Sequence, residues 1–593
     1  MFLKALVTYY ELLCSDPKSG IAPLGFSPVK VSYEAVISKE GDLVSLTSLK
    51  RLDGKKSVPA EMMLPKSVLR SSGISSNFLY DNATYVFGID KGNPGRAKKC
   101  FESFKALHES MLKDVQCEEA EALLAFLNKW DSSNAAQNKI LAPEISELTK
   151  GPNIVFRLDG KKSYIHENPQ IKQLWTAKEN ETNDEPLMQC LVTGEESVPT
   201  RLHTAIKGLY KGLSSGNQFI SFNANAYESY GKEDSQGLNA PISKYAAFAY
   251  ATALNYLIAK PNHNIRISDT TMVFWAERDS ITFEESEEIT DIFLNFVEPQ
   301  EKDENVKKET VADEYAAEKV RGYFEEISKG NLPKVSEELE DVRFYILGIS
   351  PNSARISVKF FMRDSLGSFI KQISQHYLDM QIEKQYSSNK ENFPVWLLLK
   401  ETVSPKASKG SLPHSTMSNA LMRAVLNGEP YPYSLYSAVI SRIRAGDEIG
   451  YYKAAIIKGY LIRSKREKYK EVLTMSLNPD YDAEVSYLLG RLFAVLEKLQ
   501  IESSGAELNT TIRDRFFTSA CSTPANVFPS LLRLSSHHIS KAEYGKQYDK
   551  RISEIMEKLD VNKNPFPKTL SIEQQGIFIL GYYHQKNAFY AGK

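Results

Sequence analysis

Lysine, glycine and short polar side chains alternate in one stretch of the chain, between residues 190 and 256. Lys207 and Lys211 each directly precede a glycine, and glycines recur every four residues at Gly208, Gly212 and Gly216. Glycine lets backbone amides approach a phosphate without a Cβ in the way, and lysine supplies positive charge. The stretch therefore predicts a surface that holds an extended polyanion. Neutral hydrogen-bond donors for this surface follow at Ser214, Ser215, Asn217 and Gln218.

The spacing of these glycines excludes the usual mononucleotide sites. The stretch lacks the Gly-Lys-Ser/Thr end of a Walker loop, and it lacks the glycine spacing of a dinucleotide-binding fold. A glycine-rich turn with solvated lysines is the alternative that its composition leaves open.

A second basic and polar segment lies upstream, at residues 66–82. Lysine and arginine anchor phosphates, asparagine can pair with base edges, and hydroxyls add neutral donors. For Asn77 and Asn82 a turn-forming role is an equal alternative, and Phe78 and Tyr85 are expected in the core. The candidate contacts in this segment are Lys66, Arg70, Ser72, Asn77 and Asn82.

No arrangement of residues predicts a catalytic centre, a cofactor or a metal site. The chain has no HExxH motif, and most of its nine histidines are isolated. Asp269 and Glu277 only flank a strand, and Glu195, Glu196 and His203 lack a second acidic cluster. We therefore expect a protein that is not an enzyme, with a metal-dependent nuclease as the alternative.

Composition places the chain among ordinary globular proteins. Of its 593 residues 42% are hydrophobic and 25% are charged, which suffices for a core in two to four domains. The five cysteines never form a CxxC pair, which argues against a disulfide framework and a structural zinc site. No apolar run could span a bilayer and no cleavage site follows the first helix, so we expect no membrane contact and a cytoplasmic location.

The net charge of −1 is a cancellation between separate regions. Residues 281–341 hold 19 Asp or Glu against 7 Lys or Arg, and residues 402–470 hold 12 Lys or Arg against 4 Asp or Glu. The acidic region is predicted to avoid nucleic acid and to face solvent or a protein partner, because like charges repel.

Periodicity predicts an α+β protein with four segments. Residues 1–280 read as an N-terminal α+β region with long basic loops, including a strand with alternating buried residues at 29–37 and a strand QFISFN at 218–223. An acidic helical connector follows at 281–341. Residues 342–400 form a hairpin, turning at 351–353, plus a helix, and 401–593 form an all-α bundle.

Several segments resemble a known family, in the right order along the chain. CLVTGE, SFNANAYESYGK, LNAPIS, AAFAYATALNYL and DTTMVFWAE, together with SSGISSNFLYDN upstream, are similar to signature segments of the large subunit of the type I-C CRISPR surveillance complex, Cascade. They fall between residues 71 and 277, and the helical character of the remainder agrees.

The resemblance implies a non-catalytic DNA-binding subunit of an antiviral ribonucleoprotein complex. Such a subunit recognises the protospacer-adjacent motif in double-stranded DNA, helps to unwind it into an R-loop, holds the displaced single strand and recruits the helicase-nuclease. Its partners would be the crRNA and the backbone, crRNA-processing and small subunits of Cascade. Because base pairing with the guide reads the long sequence, the protein need read only a short motif and the duplex shape.

Within this expectation the candidate residues divide into three sets. Asn77, Asn82, Asn217 and Gln218 are predicted to contact base edges, and Lys66, Arg70, Lys207 and Lys211 are predicted to contact phosphates. The basic segment 402–470 is predicted to border the displaced strand, with a solvated helix face as the alternative. Its candidate contacts are Arg423, Arg442, Arg444, Lys453, Lys458, Arg463, Lys465 and Arg466.

The resemblance also implies a small helical subunit translated from an internal start. Met475 is the candidate start, because the preceding Lys470-Glu471-Val472 can be encoded as AAG GAG GTN, which contains a ribosome-binding sequence. The product would have 119 residues, with 14 basic and 13 acidic side chains. Any DNA-binding face on it must therefore come from charge segregation.

Overall fold

The structure of the chain is a computed structural model that describes residues 2–53, 56–68, 73–90, 92–179, 187–222, 226, 238–277, 282–297, 311–389, 393–407, 413, 415–469, 473–477, 484–504, 510–559 and 565–590. The chain divides into two compact units. The first comprises residues 3–204 and 220–253, and the second comprises Phe2 with residues 205–219 and 254–593. The class is α+β, as the sequence predicted.

The first unit contains both helices and strands. Its helices are α1 (Phe2–Ser15), α2 (Ala83–Val86), α3 (Pro94–Leu112), α4 (Glu118–Lys129), α5 (Ile145–Leu148) and α6 (Pro169–Glu179). Its strands are β1 (Phe26–Ile37), β2 (Leu43–Ser48), β3 (Arg51–Asp53), β4 (Lys56–Val58), β5 (Ala60–Pro65), β6 (Tyr80–Asn82), β7 (Asn153–Leu158), β8 (Met188–Gln189) and β9 (Glu196–Ser197). Helix α7 (Lys244–Ala259) begins in this unit, and its residues from Leu254 onward belong to the second.

Strand β1 is the centre of the main sheet of the first unit. The sheet has the order β2-β1-β7-β6, and β5 also pairs with β1. β1 runs parallel to β7 and antiparallel to β2 and β5. The sequence predicted one buried face for this strand, but Val31 to Ile37 are all buried, because β1 is covered on both faces. Its Glu34 is matched by Arg157, whose Nε and Nη2 donate to the carboxylate at 3.1 and 3.0 Å.

The second unit contains one four-stranded sheet and most of the helices. Its strands are β10 (Asn264–Ile267), β11 (Thr270–Glu277), β12 (Arg343–Asn352) and β13 (Arg355–Ser365), paired antiparallel in that order. Its helices are α8 (Phe283–Val297), α9 (Val311–Ser328), α10 (Glu337–Glu340), α11 (Leu366–Met380), α12 (Val395–Lys400), α13 (Ser415–Asn427), α14 (Tyr433–Arg444), α15 (Tyr451–Ser464), α16 (Arg466–Tyr469), α17 (Val485–Ser504), α18 (Ile512–Ser522), α19 (Phe528–Lys541), α20 (Gly545–Lys558) and α21 (Ile572–Ala588).

One hydrophobic core extends through the second unit. It joins the sheet residues Met272, Phe274 and Phe344 to the bundle residues Leu492 and Phe578. The predicted hairpin is confirmed, with Arg343 paired to Ser365 at one end, but its turn lies at residues 353–354 and not at 351–353, because Asn352 still pairs with Arg355. The predicted segments 1–280, 281–341, 342–400 and 401–593 stay a prediction about independent folding.

The predicted strand at 218–223 is wrong over its described residues. Gln218 forms a single bridge to Arg355, and residues 219–222 lie outside any strand. Among residues 218–222, only Gln218 pairs with a strand, so the alternation of apolar residues there belongs to a loop. No helix in the described part of the chain is long and apolar enough to cross a membrane.

Candidate nucleic-acid interface

Residues 205–219, called here the 205–219 loop, form a closed loop in the second unit. Ile206 and Asn217 exchange two backbone hydrogen bonds of 2.8 Å, which bring the two ends of the loop together. Asn255 on α7 holds the first end, since its Oδ1 accepts from the amide of Lys207 at 2.8 Å and its Nδ2 donates to the carbonyl of Ala205 at 3.1 Å. The loop is therefore pinned at its base and presents its middle outward.

The glycines of the loop are required by close packing. A Cβ on Gly212 would lie 2.6 Å from Oδ1 of Asn217, and a Cβ on Gly216 would lie 2.8 Å from Cβ of Ala205. Gly216 also has a φ of +98°, in the region that glycine favours. Packing alone thus explains these two glycines, without a phosphate against the backbone.

Asn217 ties the loop to the turn of the β12–β13 hairpin. Its side chain is 1% exposed, donates from Nδ2 to the carbonyl of Ser353 at 2.7 Å and accepts at Oδ1 from the amide of Leu213 at 3.1 Å. Gln218 continues the attachment through its backbone, which bonds to Ala354 and Ile356 at 3.0 and 2.9 Å. Contact of Asn217 with a base edge would require the loop to open.

The exposed part of the loop is basic and hydroxylated. Lys207, Lys211, Ser214 and Ser215 are all exposed, as the polyanion hypothesis requires. Arg266 of β10 joins them, because its guanidinium carbon lies 3.2 Å above the ring centroid of Tyr210. Nζ of Lys211 lies 5.5 Å from the same centroid. Among the described residues, no carboxylate pairs with Lys207, Lys211 or Arg266. We call Lys207, Lys211, Ser214, Ser215 and Arg266 the loop surface.

Sequence reasoning missed Arg266. It stands far from the loop along the chain, and its only signal is the alternation with the buried neighbours Ile265 and Ile267, which places it on the other face of the strand. Alternation does not reveal which loop a strand residue will meet.

The segment 66–82, in the first unit, is held by buried polar contacts. Asn77 is 6% exposed, and its Oδ1 accepts from the amide of Val68 at 2.9 Å. Oδ1 of Asn82 caps α2 by accepting from the amide of Thr84 at 3.0 Å. The carboxylate of the fully buried Asp81 accepts from the backbone amides of Asn77 and Asn82, both at 2.9 Å. The geometry therefore favours the turn-forming alternative for Asn77 and Asn82, while base contact stays a prediction.

Aromatic side chains of neighbouring helices pack against the same segment. Phe78 is 1% exposed and stacks between His108 and Trp175, with both centroid distances 5.2 Å, and Tyr85 is buried, so both are core residues as expected. Nε2 of His108 accepts from the amide of Leu79 at 2.8 Å. Burial lowers the pKa of His108 to about 4, despite its hydrogen bond to Phe104, so the ring is a neutral acceptor. Lys66 is exposed, and Arg70 and Ser72 lie outside the described residues.

The basic segment 402–470 is largely internal, which neither of its two interpretations anticipated. Nζ of Lys453 donates to Glu401 at 2.7 Å, Lys458 donates to the carbonyl of Gln381, and Nε of Arg463 donates to Asp379 at 2.8 Å; all three cations are buried. Burial lowers the pKa of Lys458 to about 8, against the raising effect of the Asp379 charge. These three cannot contact a DNA backbone in this conformation.

Of the other five predicted contacts of this segment, three form ion pairs with described residues and two do not. Arg442 pairs with Asp447, Lys465 with Glu573 at 2.6 Å, and Arg466 with Asp379 at 2.8 Å. Only Arg423 and Arg444 of the predicted set are both exposed and outside the ion pairs of the described residues. Six of the eight predicted contacts thus bind acceptors within the protein.

The acidic helix α8 takes part in the fold through two of its glutamates. Glu285 and Thr282 cap the helix reciprocally, with the amide of Thr282 donating to the carboxylate at 2.8 Å. Nε2 of the buried His263 lies 2.6 Å from Oε1 of Glu287. Burial alone would raise the pKa of Glu287, but its interactions with His263, Asn262 and Lys260 outweigh burial, and the pKa lies below its ordinary value. Part of the acidic region is thus structural.

The C-terminal helices bury some of their cations and expose others. Arg491 is buried with its Nε 3.2 Å from Oε1 of Gln585, and Arg513 donates to the carbonyl of Asp447 at 2.8 Å. Arg533 and Lys541, by contrast, are exposed on α19, a helix without a single Asp or Glu. Met475 lies before α17, with its carbonyl accepting from the amide of Glu383 at 2.8 Å.

A family model described as "CRISPR-associated protein (Cas_Csd1)" matches residues 6–590. The match includes residues of both compact units. No curated protein matches the chain.

Proposed function

The chain belongs to the Cas_Csd1 family of CRISPR-associated proteins, and from this membership we propose that it is the non-catalytic large subunit of a crRNA-guided type I-C Cascade complex. The observation that carries the proposal is the family match over nearly the whole chain. The exposed cations and hydroxyls of the loop surface support it, because they suit a nucleic-acid backbone.

In this role the protein would inspect duplex DNA beside the guide-paired region. The loop surface would bind phosphates next to the protospacer-adjacent motif, help to open the duplex into an R-loop and leave the long sequence to the guide RNA. The acidic helices α8 and α9 would face a protein partner such as the helicase-nuclease, because their charge repels phosphate. Backbone, crRNA-processing and small subunits would complete the complex.

Reconstitution of the complex tests this function. Cascade assembled with a guide RNA should bind a matched duplex only when certain short motifs flank it, and omission of this chain should abolish that preference. Purified chain incubated with DNA and Mg²⁺ or Mn²⁺ should leave the DNA intact. Motif preference without this chain, or metal-dependent cleavage by it, would favour the nuclease alternative.

The loop surface should contribute to the affinity for duplex DNA independently of the DNA sequence. We expect Lys207→Ala with Lys211→Ala to weaken duplex binding alike for all motifs, and to reduce the slope of log K against log salt by about 1.8, since each phosphate contact contributes about 0.9. Anisotropy titrations over a salt series measure this slope. The matched control is Lys371→Ala with Lys400→Ala, which removes two exposed cations that lie on helices α11 and α12. Equal salt slopes for the two double variants would contradict the assignment.

We place the displaced strand along α19, where cations are exposed without neighbouring acids on the helix. Arg533→Ala with Lys541→Ala should lower the salt slope for single-stranded DNA by about 1.4, at about 0.7 per contact. Lys546→Ala with Lys550→Ala, on the mixed-charge helix α20, removes the same charge and should change the slope little. An unaltered slope in the α19 variant would remove this helix from the strand path.

We also propose that Met475 starts a separate small subunit. The product would lose contacts that the full chain gives α21, where Tyr436 donates to the carbonyl of Ile572 at 2.9 Å and Lys465 pairs with Glu573. We expect synonymous changes in codons 470–474 to remove a 119-residue product on an immunoblot and to leave the full-length protein in place. Persistence of the short product would exclude Met475 as its start.

A further inference from the structure

Arg266 is held in one orientation by two contacts. Its guanidinium carbon lies 3.2 Å above the centroid of the Tyr210 ring, and its Nε donates to the carbonyl of Ser268 at 3.3 Å. The ring fixes the plane of the guanidinium, and the Nε hydrogen bond fixes its rotation within that plane. Because the side chain is exposed, the Nη edge remains accessible.

The Nη1 and Nη2 groups of Arg266 are the part of the side chain that a ligand could use. In the part of the chain that the structure describes, neither nitrogen has a hydrogen-bond partner and no carboxylate pairs with the side chain. Arg157, Arg442, Arg463 and Arg466, by contrast, all pair with a carboxylate. A guanidinium that is oriented but unpaired has already lost much of the rotamer entropy that binding would cost.

The chemistry of this edge defines the ligand. Two coplanar Nη donors match two acceptors in one plane, as in two oxygens of a phosphate or O6 and N7 of a guanine. The exposed lysines and serines of the 205–219 loop add charge and neutral donors beside it. A carboxylate on an acidic protein offers a similar pair of acceptors, but it would not use the separate lysines and hydroxyls along an extended backbone.

We propose that Arg266, oriented by Tyr210, is a bidentate anchor for nucleic acid in the second unit. The inference rests on the proposed function and assigns it a residue that no sequence motif indicated. Tyr210 is a positioning residue: it sets the plane in which Arg266 binds and makes no contact with the ligand in this role.

The test compares variants that change geometry while keeping charge. Full-length Arg266→Lys retains the positive charge but not the two-pronged donor edge. Tyr210→Phe retains the ring beneath Arg266, and Tyr210→Ala removes it. Arg363→Lys is the matched control, since Arg363 is exposed on the same sheet with its guanidinium carbon 5.9 Å from the Tyr345 centroid. Circular dichroism and melting curves verify that each variant is folded.

Binding is measured with a labelled duplex of random sequence and with duplexes that differ at single base pairs. Arg266→Lys and Tyr210→Ala should weaken binding by about 5–150-fold, whereas Tyr210→Phe and Arg363→Lys should bind like the wild type. A loss on every duplex identifies a phosphate as the ligand. A loss confined to duplexes with guanine at one position identifies the base.

Two results would overturn the anchor, and they are distinguishable. If the wild type binds duplex DNA and Arg266→Lys binds every duplex equally well, the anchor is excluded while the proposed function stands. If the wild type binds no DNA, alone or in the reconstituted complex, the proposed function fails as well, and Arg266 is then tested against the carboxylates of an acidic protein.

Discussion

Replacing Gly490 with alanine should destabilise the second unit by about 3 kcal/mol, the upper end of the usual cost of overpacking, although alanine is the better helix former by about 1 kcal/mol. A Cβ on Gly490 of α17 would lie 1.9 Å from the carbonyl oxygen of Phe578 and 2.9 Å from the amide nitrogen of Tyr582, both on α21. The contact is reciprocal, because a Cβ on Gly581 would lie 2.2 Å from the carbonyl oxygen of Tyr487. Backbone atoms cannot rotate away as a side chain can, so the two helices would have to separate.

The matched control for this prediction is Gly322→Ala. Gly322 lies in α9, and a Cβ added there would meet nothing within 4 Å. This variant should therefore show the ordinary helix-propensity gain of about 0.5–1 kcal/mol. Thermal melts of both variants should thus shift in opposite directions. A Gly490→Ala protein that melts at or above the wild-type temperature would show that α17 and α21 do not meet at these glycines.

Replacing Asp379 with alanine should cost about 3–5 kcal/mol, the range for breaking a buried ion pair. The Asp379 side chain is 2% exposed and accepts from Nε of Arg463 at 2.8 Å, from Nη2 of Arg466 at 2.8 Å and from Nε2 of Gln375 at 2.8 Å. The Arg463 side chain is itself 3% exposed. In Asp379→Ala, Arg463 would keep its hydrogen bonds to the carbonyls of Ala424 and Glu429. Its buried positive charge would, however, have lost the carboxylate of Asp379.

The free energy of unfolding of two further variants, measured with denaturant, shows whether the loss comes from the buried charge. Asp379→Leu with Arg463→Met removes both buried charges and should recover much of the loss, because an apolar pair avoids the desolvation cost. Glu554→Ala breaks an exposed pair with Lys550 and should change stability by less than about 1 kcal/mol. If Asp379→Ala unfolded like the wild type, the pair would not be buried as described.

Because Asp379 and Arg463 form a buried ion pair, Arg463 is a poor position at which to test DNA binding. Arg463 was among the residues predicted to border the displaced strand, and reversal of its charge would place an acid beside Asp379. The resulting loss of DNA binding would follow from disruption of the helices around it. Arg423, Arg444, Arg533 and Lys541 are the better probes, because they are exposed.

The sequence by itself determined the elements whose signal is local. The β12–β13 hairpin follows from period-two alternation on both sides of a short break, and the C-terminal helices follow from their 3.6-residue period. The core positions of Phe78 and Tyr85 could also be predicted, because large aromatic side chains are buried in most environments. The family segments, read in order, indicated a CRISPR-associated protein, and the family match over residues 6–590 shows this much.

Only the tertiary structure decided which polar residues remain available to a ligand. Lys453 and Arg463 are as basic in the sequence as Lys207, but their carboxylate partners Glu401 and Asp379 stand 52 and 84 residues away. Asn217 is occupied by the carbonyl of Ser353, 136 residues along the chain. Arg266 gains its orientation from Tyr210, with which no periodicity connects it. Hydrogen bonds and ion pairs act over a few ångströms in space, so a side chain's role depends on neighbours that local sequence does not specify.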